Sequence, residues 1–346
     1  MAPKKQKIVY VAMSGGVDSS VAAALLKKRG FRVIGVFMKP WSASAKASAG
    51  QAVLCPWKED REDAMRVASK LDIPLHTWDF SKQYGERVTK YMIESYRKGI
   101  TPNPDVMCNK EIKFGLFLKR ALKEGADYIA TGHYARTKNG TLLTAKDSNK
   151  DQTYFLWTLT STQLTKTLFP IGDYTKPDVR KLAKKFALPT FNKKDSQGVC
   201  FIGPVRMKAF LASKIQSKAG KILHLDGSVV GQHDGSFFYT IGQRHGLNIS
   251  IGGGPYFVIK KDLKKNIIYV GTQKDLMQRS ATVSKVHWIG REAKRVSTKI
   301  RYRTPSQRAI LNGRTLVFSK PQRAITPGQS AVFYRGQEIL GGGIIR

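Results

Sequence analysis

The stretch YVAMSGGVDSS, residues 10–20, limits what this chain can fold into more than any other. Residues 8–13 (IVYVAM) form a continuous apolar run, the pattern of a strand buried on both faces of a parallel sheet. Residues 18–29 (DSSVAAALLKKR) follow a helical pattern that starts polar, ends in Lys27-Lys28-Arg29 and stops at Gly30. Two glycines flanked by hydroxyls join them. A strand-turn-helix of this kind aims backbone N–H groups and hydroxyls at one point, at the positive end of the helix dipole, and so makes an anion site. The GxxxxGK[ST] pattern of P-loop nucleotidases and the GxGxxG of dinucleotide enzymes are both absent. A phosphate turn of another kind remains, beside the plain alternative of a tight Gly-Gly turn that holds nothing.

The alternation continues. Residues 32–37 read as a strand, 59–71 as a helix, 75–79 as a strand, 83–98 and 110–123 as helices and 128–130 as a strand, with a further helix near 177–187 opened by Pro177. This predicts an α/β domain with a doubly wound parallel sheet. SASAKASAGQ, 42–51, is low in complexity and is expected to be a mobile surface loop. After Gly203-Pro204 the texture changes. One short helix is predicted over 205–217, then strand-like runs (SFFYTIG, YFVIKK, NIIYVG). From about 280 the pattern is all strand: TVSKVHWI, STKIRYR, RTLVFS, QSAVFYR and EILGGGII. Short, evenly spaced strands predict a small β-barrel. The chain divides on this reading into a catalytic α/β domain at 1–204, a small central domain at 205–276 and a C-terminal β-barrel domain at 277–346.

Charge suggests the partner. There are 60 lysines and arginines against 24 acids, a formal net charge of +36, and residues 206–346 hold 25 of those cations and only 6 acids. Such a field attracts polyanions, of which nucleic acid is the commonest large one. A generally basic proteome or a salt-adapted one is the bland alternative. The three cysteines, Cys55, Cys108 and Cys200, contain no CxxC pair, which argues against a disulfide framework and a zinc ribbon and for a reducing, cytoplasmic compartment. MAPKKQK leads into too short an apolar run for a secretory signal, and no uncharged run reaches membrane-spanning length. A monomer without a membrane partner is expected.

TPNPDVMCNKEIKF, 101–114, places Cys108 just before a basic helix, with Asn103, Pro104 and Asp105 in an extended turn set by two prolines. A helix N-terminus with Lys110 and Lys113 nearby favours a nucleophilic thiolate. KKDSQGVCFIG, 193–203, holds Cys200 after a polar loop with two lysines. For each cysteine taken alone, a small apolar filler is the commoner role. Asp105 fits acid–base work or the capping of a turn. His133, in TGHYAR, follows a strand on the ligand side of a doubly wound sheet, or is a satisfied loop histidine. STKIRYRTPSQR mixes cations with Tyr302 as RNA contacts do, or is a solvated barrel strand.

The loop SGGVDSS resembles the pyrophosphate loop of the N-type ATP pyrophosphatases (adenine nucleotide alpha hydrolase-like), which adenylate a carbonyl oxygen. With NPDVMCNKEIKF, TGHYAR, DSNKDQTYFL, DSQGVCFIG, TIGQRHGL and PGQSAVFY, in this order over nearly the whole chain, the sequence resembles the tRNA-specific 2-thiouridylase family. The resemblance implies that ATP, with Mg2+, is held by Ala12, Met13, Ser14, Gly15, Gly16, Val17, Asp18, Ser19, Met38 and Gly132, and that Asp18 could help to place the metal. No protein metal centre is implied. Cys108 becomes the nucleophile and Cys200 the persulfide carrier, with Asp105 beside them. Asn103, Pro104 and Asp105 would contact the target base, and His133, Lys150, Asp151, Gln152, Arg301, Tyr302 and Gln329 would touch tRNA. A sulfur-donor protein would load Cys200, and Cys55 has no implied role. On the residues alone, a lysidine- or amide-forming ligase and a non-enzymatic basic RNA-binding protein stay open.

Overall fold

The computed structural model describes residues 6–41, 57–194, 207–249 and 251–346. The loop expected at 42–51, Cys55 and Cys200 lie outside the described residues.

A five-stranded parallel sheet carries the first part of the chain. Its strands are β1 (Ile8–Ala12), β2 (Arg32–Lys39), β3 (Leu75–Asp79) and β4 (Tyr128–Thr131), followed, after a hairpin of β5 (Arg136–Lys138) and β6 (Thr141–Leu143), by β7 (Thr167–Leu168). They lie in the order β3-β2-β1-β4-β7 with every pairing parallel. The apolar run of β1 is explained by its two faces. Val9 and Val11 pack with Val21, Ala22 and Leu25 of α1 (Val17–Lys28), while Tyr10 and Ala12 join Trp78, Ile112 and Ile129 on the other side. The order reverses between β1 and β4, so the carboxyl ends of these two strands flank the crevice in which such sheets hold ligands.

Helix α2 (Trp57–Lys70) matches its sequence reading. The helices expected at 83–98 and 110–123 start earlier, at Ser81 and Pro104, and each contains a π-helical stretch, Gly85–Thr89 and Asn109–Phe117. Cys108 is therefore not ahead of the helix but in its second turn. The physical cause is Asn103, whose side chain accepts from Val106 N at 3.3 Å while Pro104 fills the first turn.

The central part is a four-stranded sheet of Phe257–Asp262, Ile267–Gly271, Gly220–His224 and Val229–His233. Its helix, Met207–Ala212 among the described residues, ends earlier than expected. SFFYTIG is not a strand: Ser236–Phe238 form a 3-10 turn, because Ser236 N donates to Asn266 Oδ1 at 3.2 Å instead of to a strand neighbour.

The C-terminal part is a closed six-stranded barrel, since Met277–Trp288 pairs with both Thr315–Arg323 and Glu338–Ile345. STKIRYR is strand only as far as Lys299, and Arg301 and Tyr302 stand in the turn beyond it. The hairpin β5–β6 extends this barrel sheet by pairing Leu142 with Ile339, so the first and last parts of the chain share hydrogen-bonded strands. No helix among the described residues is long and apolar enough to cross a membrane.

Candidate active site

The phosphate turn forms at the carboxyl end of β1. Gly15 adopts φ +72°, and a Cβ there would stand 2.1 Å from the Asp60 carbonyl oxygen, so α2 closes against bare backbone. Gly16 is the N-cap of α1 and brings no side chain to its first-turn N–H groups, which leaves a cradle that fits an anion. Hydroxyls hold the turn: Ser14 N donates to Ser19 Oγ at 3.2 Å, and the hydroxyls of Ser19 and Ser20 donate to Gly16 O at 3.1 and 2.8 Å. Gly132, one residue past β4, lies so close to α1 that a Cβ would meet Ser19 N at 2.6 Å. Ala12 and Met13 are buried, and Met38 is half-buried on the neighbouring strand. The sheet thus gathers all the expected nucleotide residues at one edge.

Two residues missed in the sequence complete this edge. Asp18 Oδ1 accepts from Tyr134 Oη at 2.9 Å, and Lys176 Nζ reaches the two carboxylate oxygens at 2.8 and 3.0 Å. Lys176 is 9% exposed, a buried ammonium placed by the helix Lys176–Lys185 under a Thr175–Asp178 capping box. A lysine at a helix start, against the dipole, was the only signal in the sequence. Nearby, Lys193 Nζ bonds Asp60 at 2.6 Å and Asp63. Burial works against the Lys193 charge, but the two carboxylates outweigh it and raise its pKa.

The thiol helix lies on the other side of Gly132. Cys108 is fully buried in the same apolar cluster as Ile112, Phe114 and Phe117. His133 packs its ring on Phe114 (centroids 5.7 Å apart) and on Phe169 (6.3 Å), with Nδ1 2.7 Å from Thr131 Oγ1. Burial, with a smaller push from Lys113, drives its pKa well below the ordinary histidine value, so the ring is neutral. Asp105 is half-buried in the first helical turn, and the N-cap of that helix is Asn103.

The expected tRNA residues meet at the seam between sheet and barrel. Gln152 Oε1 accepts from Tyr134 N at 2.9 Å. Asp151 is buried and accepts from Ala145 N and from the Thr153 N–H and hydroxyl. Tyr154 Oη donates to the carbonyls of Ile300 and Ser330, and the ring of Tyr302 rests on Phe155 at 4.6 Å. Arg301 Nη2 donates to Ile241 O, Ala324 O and Thr326 Oγ1, joining central sheet to barrel. Gln329 Nε2 donates to Thr101 O and Pro102 O, one residue before Asn103. His133 and Asp151 are buried, whereas Asn103, Lys150, Gln152, Arg301, Tyr302 and Gln329 are partly exposed.

An anion turn at the switch point of a parallel sheet, beside a buried thiol on a capped helix and a β-barrel seam, defines an adenine-nucleotide domain fused to β modules. Three family models match in order: the tRNA methyl transferase HUP domain over residues 7–204, the tRNA methyl transferase PRC-barrel domain over 208–272 and the aminomethyltransferase β-barrel domain over 278–345. Over 360 residues the chain is 47% identical to tRNA-specific 2-thiouridylase MnmA 2 of Geobacillus kaustophilus, covering 99% of this chain and 95% of that one. It is also 47% identical to MnmA of Streptococcus thermophilus (100% and 96% covered) and 45% identical to MnmA of Christiangramia forsetii (98% and 100%). The chain belongs to the MnmA family of tRNA-specific 2-thiouridylases.

Proposed function

We propose that the chain replaces the C2 oxygen of the wobble uridine of tRNA by sulfur, spending ATP to activate the carbonyl. The observation that carries this reading is the shared contact at Gly132-His133: Gly132 packs on the nucleotide loop at Ser19, and the next residue stacks on Phe114 of the Cys108 helix. This contact supports a common location for adenylation and thiol chemistry.

A uracil carbonyl oxygen is a poor leaving group. Its attack on the α-phosphate of ATP, whose pyrophosphate end rests in Ser14–Ser19, releases pyrophosphate and leaves an O-adenylated ring. Sulfur from a persulfide on Cys200 then adds to C2, and AMP departs. In one route the terminal persulfide sulfur attacks C2, and Cys108 afterwards attacks Cys200 Sγ to free the thiocarbonyl. In the other, Cys108 attacks the persulfide first and releases hydrosulfide. Both end in a Cys108–Cys200 disulfide, which needs the two Cα atoms within about 7 Å; a thiol reductant must return the pair to two thiols, at the cost of its own oxidation to a disulfide, before a donor protein passes a persulfide sulfur to Cys200. Support for the reach comes from Lys193, seven residues before Cys200, anchored by Asp60 beside Gly15. Asp105, three residues and one turn from Cys108, is the acid–base group proposed for the ring. Asn103 uses its carbonyl as the helix cap, which leaves its amide N–H groups for a base oxygen. Mg2+ would arrive on the phosphates, and Asp18, the carboxylate of the turn, could help to place it.

The test is mass spectrometry of tRNA incubated with the protein, ATP, Mg2+ and a persulfide donor. An oxygen-to-sulfur change at the wobble uridine is expected, lost in S14A, C108A and C200A. If C108A and C200A both modify tRNA normally while S14A does not, the chain is an adenylating ligase of another kind.

A further inference from the structure

Two hydrogen-bonded paths connect the nucleotide loop to the turn Lys150-Asp151-Gln152, and both start at Asp18. In the first, Tyr134 Oη donates to Asp18 Oδ1 at 2.9 Å, while Tyr134 N donates to Gln152 Oε1 and Gln152 N to Tyr134 O, each at 2.9 Å. One residue thus bonds the loop with its side chain and the turn with its backbone. In the second, Lys176 Nζ pairs with Asp18 at 2.8 Å, and Lys176 N donates to Asp147 Oδ2 at 2.9 Å. The other oxygen of Asp147 accepts from Asn149 N at 3.0 Å and Lys150 N at 3.2 Å. Tyr134 is 2% and Lys176 9% exposed, so the residue at the middle of each path is shielded from water.

We propose that Tyr134 and Lys176 are positioning residues through which ATP and tRNA bind with positive cooperativity. This rests on the sulfurtransferase reading, with ATP at Gly15-Gly16 and RNA at Lys150 and Gln152. The polyphosphate brings negative charge to the site where Lys176 and Tyr134 already converge on Asp18. It draws the Lys176 ammonium and fixes Asp18, and with them Asp147 and Gln152, in the arrangement described. The turn is then already ordered when the RNA arrives, and its ordering cost is met once for both ligands. Linkage requires the converse: tRNA must tighten ATP by the same factor. The order of chemistry profits, since ATP committed without a uridine to adenylate would be open to water.

The experiment measures four dissociation constants on the full chain: a tRNA transcript with and without saturating α,β-methylene-ATP and Mg2+, and that analogue with and without the transcript. In the wild type the two factors should agree and fall between about 5-fold and 150-fold. Y134F, which keeps the backbone bonds to Gln152, should bring the factor near unity while each ligand's affinity alone changes little; K176M should also bring it near unity but weaken the analogue bound alone, because it removes a cation beside the phosphates. K176R should retain part of it. A purely structural role would lower thermal stability without touching the factor. Should Y134F not fold, the wild-type factor and K176R still decide. A factor of one in the wild type, or full coupling in Y134F or K176M, overturns the inference. If thiolation proceeds with a factor of one, only this inference falls. A chain that binds neither ligand and makes no 2-thiouridine ends the sulfurtransferase reading as well.

Discussion

Single residues carry two measurable consequences. Gly15 combines φ +72° with a backbone neighbour where a Cβ would be. Replacement by alanine has to move α2 or break the turn, so G15A should lose about 1–3 kcal/mol of stability and its ATP binding, read by thermal melting and nucleotide titration. His133 is held neutral by burial, so its folded pKa lies below the unfolded value near 6.5. The unfolded chain therefore binds a proton that the folded chain refuses. Stability is unaffected by this group above pH ~6.5 and falls below it, by up to about 1.4 kcal/mol per pH unit. His233, whose pKa burial also lowers, adds a second contribution. Urea unfolding between pH 5 and 8 should show the loss, and H133Q should remove its own share and leave that of His233. Without this burial the histidine could not be told from an exposed RNA contact in the string TGHYAR, since sequence does not state what packs on a ring.

At the scale of elements, the helix that begins at Pro104 joins folding to chemistry. Asn103 is both its cap and an expected base contact. N103D retains the capping oxygen and should keep the melting temperature while losing the amide donors, so that thiolation falls. N103A should lose activity and also about 0.5–2 kcal/mol. Equal stability of the two variants would show that the cap contributes nothing. In the sequence NPDVMC reads as a proline turn, which places the expected helix start only at 110. Only the bond from Val106 N to Asn103 reveals that the turn is the helix start. β7, two residues long, was likewise illegible: Thr167-Leu168 is a strand only because Ile129 and Ala130 lie alongside it.

For the whole molecule, two of the expected tRNA residues join its parts. Arg301 links central sheet to barrel through one nitrogen, and Gln329 ties the barrel to the segment before Asn103. R301A should weaken tRNA binding and lower the cooperativity of unfolding, and R301K should not restore it, because an ammonium cannot place its donors as the guanidinium fork does. The net charge of +36 predicts binding dominated by phosphate contacts. If about 6–10 phosphates are neutralised, affinity should fall roughly 10³- to 10⁵-fold between 50 and 200 mM salt, a slope that filter binding can measure.

The sequence by itself determined the sheet, the anion turn, the barrel and the chemistry-bearing motifs, since each depends on local periodicity, turn residues and spacing that neighbours in the chain dictate. Only the tertiary structure decided that β5–β6 would extend the barrel sheet, that Lys176 would reach Asp18 across 158 residues, and that Gln329 would support Thr101 across 228. Those pairings depend on which surfaces the packed sheet brings within a few ångströms, and no local pattern encodes a distance between segments that meet only after folding.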